Sequence, residues 1–209
     1  LKSLLDKVSA KSEVELLTNT VLKKANGFAG SFSISMSQGS NDLEKEFGSI
    51  LIATDNKFES LHEAYGLQLS EKVLSQSQLE DVLFDRERGP KALAGEAAES
   101  SGVVFLLGFG QEGNPVVLER AMRSIEKLTE EKNCQPYVFV NNLKVASDSL
   151  EKLYKKCRDC GAVFFKLAEA PKIEDAGARL VFTDPVAREE VEIAPDLLII
   201  EEALQADSA

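Results

Sequence analysis

The residues best suited to chemistry in this chain are glycines that stand directly behind an apolar run. Residues 103–107 form the run, and Gly108, Gly110 and Gly113 follow in the spacing G-x-G-x-x-G. In a dinucleotide-binding domain a buried strand leads into such a turn, and the N-terminus of the next helix holds the pyrophosphate through free backbone N–H groups. We therefore predict a nucleotide-binding loop composed of Gly108, Phe109, Gly110, Gly113 and Asn114.

A second part of such a site binds the ribose. A NAD site commonly has an acidic residue at the end of its second strand, where it accepts hydrogen bonds from the ribose hydroxyls. Asn141 and Asn142 stand there, so we include both as candidate cofactor-binding residues. An amide accepts a hydrogen bond less strongly than a carboxylate does, and Glu112 within the loop would repel a pyrophosphate. Two hypotheses therefore stay open: a domain that binds NAD or NADP, and a non-catalytic scaffold that has kept the fold and lost its ligand.

A third hypothesis, a thiol–disulfide protein, comes from Cys157 and Cys160, which have C-x-x-C spacing. A reactive cysteine of this kind lies at a helix N-terminus, where its thiolate is stabilised. Here the pair falls at the end of a predicted helix, where the helix dipole disfavours a thiolate. We therefore interpret both cysteines as structural. His62 is the only histidine and Cys134 the only other thiol, so we predict no metal site, and no catalytic residue is assigned.

The elements around these residues predict an α/β fold, a Rossmann-like parallel sheet with a β-meander. Pro115 suits the first turn of a helix that Asn114 caps, and Gly161 suits the end of the next helix. Glu201 and Glu202, behind the last strand, are expected to be solvated. The predicted elements are strand 103–107, helix 115–132, strand 137–140, helix 147–160, strand 162–167, a hairpin of 179–183 with 189–193, and strand 197–200.

The first part of the chain repeats this order of helix, strand, hairpin and strand. The turn is predicted at Asn26-Gly27, and the last strand, residues 47–54, is continuously apolar, as a strand covered on both faces is. The charged link at residues 85–91 places a domain boundary between residues 89 and 90. The predicted elements are helix 1–11, strand 13–22, a strand through Phe28, Phe32, Ile34 and Met36, strand 47–54, and a partly helical segment 70–84.

Three stretches resemble one known family. Residues 14–32, 48–55 and 150–165, the last together with 189–200, are similar to segments of heterodisulfide reductase A-like proteins, within the flavoproteins that have two dinucleotide-binding domains. The resemblance implies that residues 1–89 are an incomplete flavin-domain-like lobe with a linker. It also implies that residues 90–209 are a Rossmann-like domain of the NAD(P)-binding type.

The same resemblance implies a parent oxidoreductase that transfers electrons between a pyridine nucleotide, flavin and iron–sulfur partners. The partners would be other subunits or domains of an electron-transfer complex. The flavin loop of the family would lie before Leu1, Asp55 stands where the family has glycine, and the family's cysteine clusters are absent. We therefore expect FAD in a complete parent protein and not in this chain, which should not turn over alone.

Composition excludes several other classes. The 209 residues have a formal net charge of -11, which argues against a surface for nucleic acid or anionic membranes. No apolar stretch approaches the roughly 20 residues that span a bilayer. Three cysteines suit a reducing cytoplasm better than a disulfide framework. Because the first residue is leucine, we expect a piece of a longer protein; homo-oligomerisation stays open.

Overall fold

A computed structural model describes residues 2–53, 56–84, 101–131, 134–145 and 149–206. The chain divides into two compact units, Leu1–Thr54 and Asp55–Ala209. The domain boundary predicted between residues 89 and 90 lies outside the described residues and stays a prediction.

Residues 2–53, the described part of the first unit, form one helix and a three-stranded antiparallel sheet. Helix α1 (Lys2–Ser9) confirms the predicted helix. The strands β1 (Thr20–Phe28), β2 (Ser31–Gln38) and β3 (Asn41–Phe47) pair in chain order. The strand predicted at residues 13–22 is wrong for residues 13–19, because β1 begins only at Thr20.

The turn predicted at Asn26-Gly27 is also misplaced, since both residues lie within β1. Phe28 pairs with Ser31, so the hairpin turns at residues 29–30. Gly30 has a φ of 98° there, a conformation that glycine adopts without the steric cost of a Cβ atom. Gly27 is required for a different reason: a Cβ atom on it would stand 2.1 Å from the carbonyl oxygen of Ser31.

The buried strand predicted at residues 47–54 is absent. Strand β3 ends at Phe47, and residues 48–53 form no strand. Leu51 is 92% exposed and Ile52 80%. An apolar run becomes a buried strand only where neighbouring elements cover both of its faces. The antiparallel sheet of this unit does not include the run.

The second unit confirms the predicted α/β fold. It begins with β4 (Asn56–Ser60), a 3-10 turn (His62–Tyr65) and β5 (Val73–Ser75), which leads into α2 (Gln76–Phe84). The central elements then follow in alternation: β6 (Ser101–Leu107), α3 (Pro115–Glu131), β7 (Cys134–Val140), α4 (Leu150–Asp159) and β8 (Val163–Lys166). A meander of β9 (Lys172–Glu174), β10 (Arg179–Thr183) and β11 (Glu190–Ile193) precedes β12 (Leu197–Ile200) and β13 (Glu202–Ala206).

The central sheet of this unit has five parallel strands in the order β5-β12-β6-β7-β8. Strand β6 lies in the middle, and its residues 103–107 are at most 3% exposed. One face of the sheet packs against α2, α3 and α4, and the other against the meander. This double cover explains why β6 is continuously apolar. Strands β4 and β13 form a separate antiparallel pair.

Within the described part of the chain, no helix has the length and apolar character needed to cross a membrane.

Candidate functional site

The glycine loop leaves the carboxyl end of β6, at the point where the order of the parallel strands reverses. Chain order runs from β6 through α3 to β7 on one side, while β12 pairs with β6 on the other side. In open α/β sheets, ligands bind in the crevice that forms where the strand order reverses. The predicted loop therefore lies at the position expected of a nucleotide site.

The backbone conformation and the close contacts of the loop explain its three glycines. Gly108 has a φ of 79°, and a Cβ atom on Gly110 would stand 3.0 Å from Leu61 Cδ1. A Cβ atom on Gly113 would stand 3.0 Å from the carbonyl oxygen of Asn142. Gly113 is thus needed where the loop meets the end of β7. The backbone N–H groups of such a turn form a concave anion-binding nest.

An anion from the chain itself lies in this nest. The carboxylate of Glu201 accepts a hydrogen bond from Gly108 N at 2.6 Å, through Oε2. Its Oε1 accepts from Phe109 N at 3.1 Å and from Gly110 N at 2.7 Å. Glu201 is only 2% exposed. The N–H groups predicted to bind a pyrophosphate are therefore hydrogen-bonded to a side chain that follows β12.

The hydroxyl of Tyr65 completes the contacts of this carboxylate. Tyr65 Oη donates to Glu201 Oε1 at 2.5 Å and accepts from Gly110 N at 3.1 Å. Burial, and then the negative charge of Glu201, raise the pKa of Tyr65 far above its ordinary value. The phenol therefore stays protonated and remains a donor. Hydrogen bonds to an ionised acceptor are about twice as strong as those between neutral groups.

The next residue, Glu202, is fixed in a second polar cluster. Its carboxylate accepts hydrogen bonds from Ser77 N (2.9 Å), in the first turn of α2, from Ser77 Oγ (2.8 Å) and from Arg120 (2.8 Å). Arg120 also pairs with Glu80 at 2.8 Å, and its guanidinium lies 3.7 Å from the centre of the Phe58 ring. Burial opposes the charge on Arg120, but its hydrogen bonds to Glu80 and Glu202 raise its pKa overall.

The expectation that Glu201 and Glu202 are solvated is therefore wrong: each is 2% exposed. Donors supplied by other elements allow two adjacent carboxylates to be buried. The strand register explains the contact with the loop. Ile200 pairs with Leu106, so Glu201, the next residue, lies close to Gly108. Sequence reasoning missed Glu201, Tyr65 and Arg120. The only available sequence clue was the acidic pair directly after the closing strand.

The remaining predicted site residues have other contacts. Asn114 caps α3, since its Oδ1 accepts from Val116 N at 2.9 Å. Asn141 Nδ2 donates to the carbonyl oxygen of Ala168 at 2.7 Å, beyond the end of β8. Glu112 pairs with Lys144, which lowers its pKa. The structure thus gathers Gly108, Phe109 and Gly110 around one anion and gives Asn114 and Asn141 structural hydrogen bonds.

This arrangement does not fit the pyrophosphate of a dinucleotide. The nest donors are hydrogen-bonded to Glu201, and a diphosphate at the same place would meet that carboxylate. Two negative charges in direct contact repel each other strongly where water is excluded. At the ribose position, the amide of Asn141 is bonded to Ala168. Binding would require Glu201 to leave the nest.

Of the two cysteines interpreted as structural, Cys157 has the environment of a structural thiol and Cys160 does not, because Cys157 is buried and Cys160 is exposed. Cys157 is completely buried, and its Sγ donates to the carbonyl oxygen of Met122 at 3.2 Å. Burial, with smaller contributions from Glu126 and Cys160, raises the pKa of the Cys157 thiol to about 12. Cys160 is exposed and directly follows α4. A nucleophilic thiol needs the opposite shift of its pKa.

No cluster of three or more His, Cys, Asp and Glu side chains suited to a metal ion occurs among the residues that the structure describes.

Comparison with solved structures finds several that are similar to this chain, among them these two. One is thioredoxin reductase from T. acidophilum, with a TM-score of 0.40 and 14% sequence identity, over 88% of this chain and 52% of that one. The other is DfoA with bound FAD, a cadaverine monooxygenase of desferrioxamine biosynthesis from Erwinia amylovora. It has a TM-score of 0.39 and 10% identity, over 91% of this chain and 53% of that one. The chain thus spans about half the length of each.

No protein-family model matches the sequence, and no curated protein matches it.

Proposed function

We propose that this chain is a non-catalytic scaffold domain, which has the fold of a pyridine-nucleotide domain and carries its own anion in the nucleotide loop. One observation carries the proposal: Glu201 accepts the hydrogen bonds of Gly108, Phe109 and Gly110 at 2.6, 3.1 and 2.7 Å. A domain that binds a dinucleotide needs these N–H groups for its ligand.

The assembly in which this scaffold works is proposed from the sequence resemblance. Residues 150–165 and 189–200 are similar to heterodisulfide reductase A-like flavoproteins. We propose that the chain comes from, or assembles with, an electron-transfer protein of that kind. Flavin and iron–sulfur centres would belong to the other domains or subunits, and this chain would provide a folded surface between them.

An NADH titration tests the scaffold proposal. The wild-type chain is titrated with NADH and then NADPH, followed by nucleotide fluorescence and by calorimetry, with a known dehydrogenase as positive control. We expect no saturable binding up to millimolar nucleotide, which corresponds to less than about 4 kcal/mol of binding free energy. The reason is that Glu201 already occupies the donors of the loop.

Saturable binding in the micromolar range, about -8 kcal/mol, would overturn the scaffold proposal. The matched variant Gly110→Glu then locates the site. Its side chain would enter the space next to Leu61 and Glu201, where a Cβ atom already comes within 3.0 and 3.3 Å of their atoms. Loss of binding in this variant would assign the nucleotide to the glycine loop and favour the NAD(P)-binding hypothesis.

A further inference from the structure

The glycine loop of this chain has the backbone N–H donors of a nucleotide loop, and the side chain of Glu201 accepts their hydrogen bonds. Its N–H groups converge on one carboxylate that is 2% exposed, which is the environment of a bound ligand rather than of a surface residue. The occupant comes from a distant part of the sequence, 93 residues beyond Gly108. The N–H groups of the loop are therefore hydrogen-bonded to a carboxylate of the chain itself.

We propose that Glu201 is a built-in substitute ligand, and that the loop takes up a free oxyanion when this carboxylate is removed. The inference rests on the proposed function, because it names what closes the site of the scaffold. The chemical class of ligand is a small oxyanion, either a carboxylate such as formate or a phosphate such as inorganic pyrophosphate. Both offer oxygens to a nest of N–H donors.

The donors would remain in place without Glu201. Gly108 directly follows the buried strand β6, and Gly110 N also donates to the phenol of Tyr65 at 3.1 Å, so we expect both N–H groups to keep their positions without Glu201. Tyr65 stays protonated, because burial raises its pKa. A free anion would therefore meet the N–H groups and one hydroxyl. Lys144 gives the nest no compensating positive charge, since it pairs with Glu112.

Glu202 provides the matched control. It is equally buried and adjacent in sequence, yet its carboxylate contacts Ser77 and Arg120 instead of the loop. Glu202→Ala should therefore destabilise the fold without opening the nest. Any anion effect specific to Glu201→Ala then belongs to the loop and not to general loss of a buried carboxylate.

The experiment measures thermal unfolding and calorimetric binding of the full chain as wild type, Glu201→Ala and Glu202→Ala, with formate and with inorganic pyrophosphate at constant ionic strength. We expect Glu201→Ala to melt lower than wild type, and both anions to raise its midpoint, since a ligand that binds only the folded state stabilises it. Pyrophosphate should bind Glu201→Ala at least about tenfold more tightly than wild type or Glu202→Ala. A response to formate alone would assign the opened site to carboxylates, and one to pyrophosphate alone to phosphates; either supports the proposal.

A folded Glu201→Ala that responds to neither anion overturns the inference. So does an equal response of all three proteins. If Glu201→Ala unfolds, anion-driven refolding is the readout, and the isosteric Glu201→Gln is measured beside it with pyrophosphate. Failure of both variants to respond, folded or unfolded, also overturns it. NADH binding by the wild type would instead overturn the proposed function, so the two failures are distinguishable.

Discussion

Among single residues, the three glycines of the loop determine the turn, and Glu201 determines which anion lies in it. Gly108, Gly110 and Gly113 allow a tight turn that offers N–H groups, and any anion of suitable size can accept from them. Glu201 supplies that anion here. The same glycines are thus needed for a carboxylate as for a pyrophosphate. A G-x-G-x-x-G pattern indicates the turn and leaves the ligand open.

The cysteine pair gives a prediction about two single residues. At neutral pH, iodoacetamide should modify Cys160 in the folded chain and leave Cys157 unmodified. The reason is that Cys157 is completely buried with a pKa raised to about 12, whereas Cys160 is exposed. Peptide mass spectrometry on folded and urea-unfolded samples measures both sites. Equal reactivity in the folded chain, or a reversible disulfide between the two, would restore the thiol–disulfide hypothesis.

At the scale of elements, the dipeptide of Glu201 and Glu202 connects the end of β12 to two helices. Glu201 contacts the turn that leads into α3, and Glu202 contacts Ser77 in the first turn of α2. Negative charge near a helix N-terminus is stabilising, because the helix dipole is positive there. Arg120 of α3 adds the positive charge that the Glu202 and Glu80 pair requires.

Arg120 and Arg123 provide a matched pair for testing this cluster. Arg120→Met should lower the free energy of unfolding by about 3 kcal/mol, because it leaves buried Glu202 without its cation. Arg123→Met, on the same helix, should change it by less than about 0.5 kcal/mol, since Arg123 is 62% exposed and its ion pair is with exposed Glu119. Urea unfolding followed by circular dichroism measures both. Equal effects would mean that the cluster does not stabilise the fold.

The apolar pattern of the sequence predicted some helices and strands correctly and others wrongly. Helix α3 and strand β6 agree with their predictions, because their apolar spacing reflects burial that the elements themselves require. Residues 48–53 have an equally clear strand pattern and form no strand. An apolar segment has a tendency to form a strand, but the strand forms only if it can pair and pack with a neighbouring sheet. The β4–β13 pair was not predicted, since its partners are far apart in sequence.

At the scale of the whole molecule, the division of the chain can be tested by truncation. Residues 55–209 should fold alone, because this unit contains the complete parallel sheet and its helices. Residues 90–209 should lose stability, because they lack β5, which pairs with β12, and α2, which packs in the same core. Thermal unfolding followed by circular dichroism measures both fragments. Equal midpoints would support the boundary predicted at residues 89 and 90.

The Rossmann-like alternation from β6 to β8 and the position of the glycine loop could be predicted from the sequence. Both follow from local apolar periodicity and from residues with special backbone freedom. Which group lies in the loop depends on tertiary contacts. Glu201 reaches Gly108 because β12 pairs with β6 in a register that joins Ile200 to Leu106. Pairing between distant strands is set by the whole core, so the burial of this carboxylate could not be read from the residues around it.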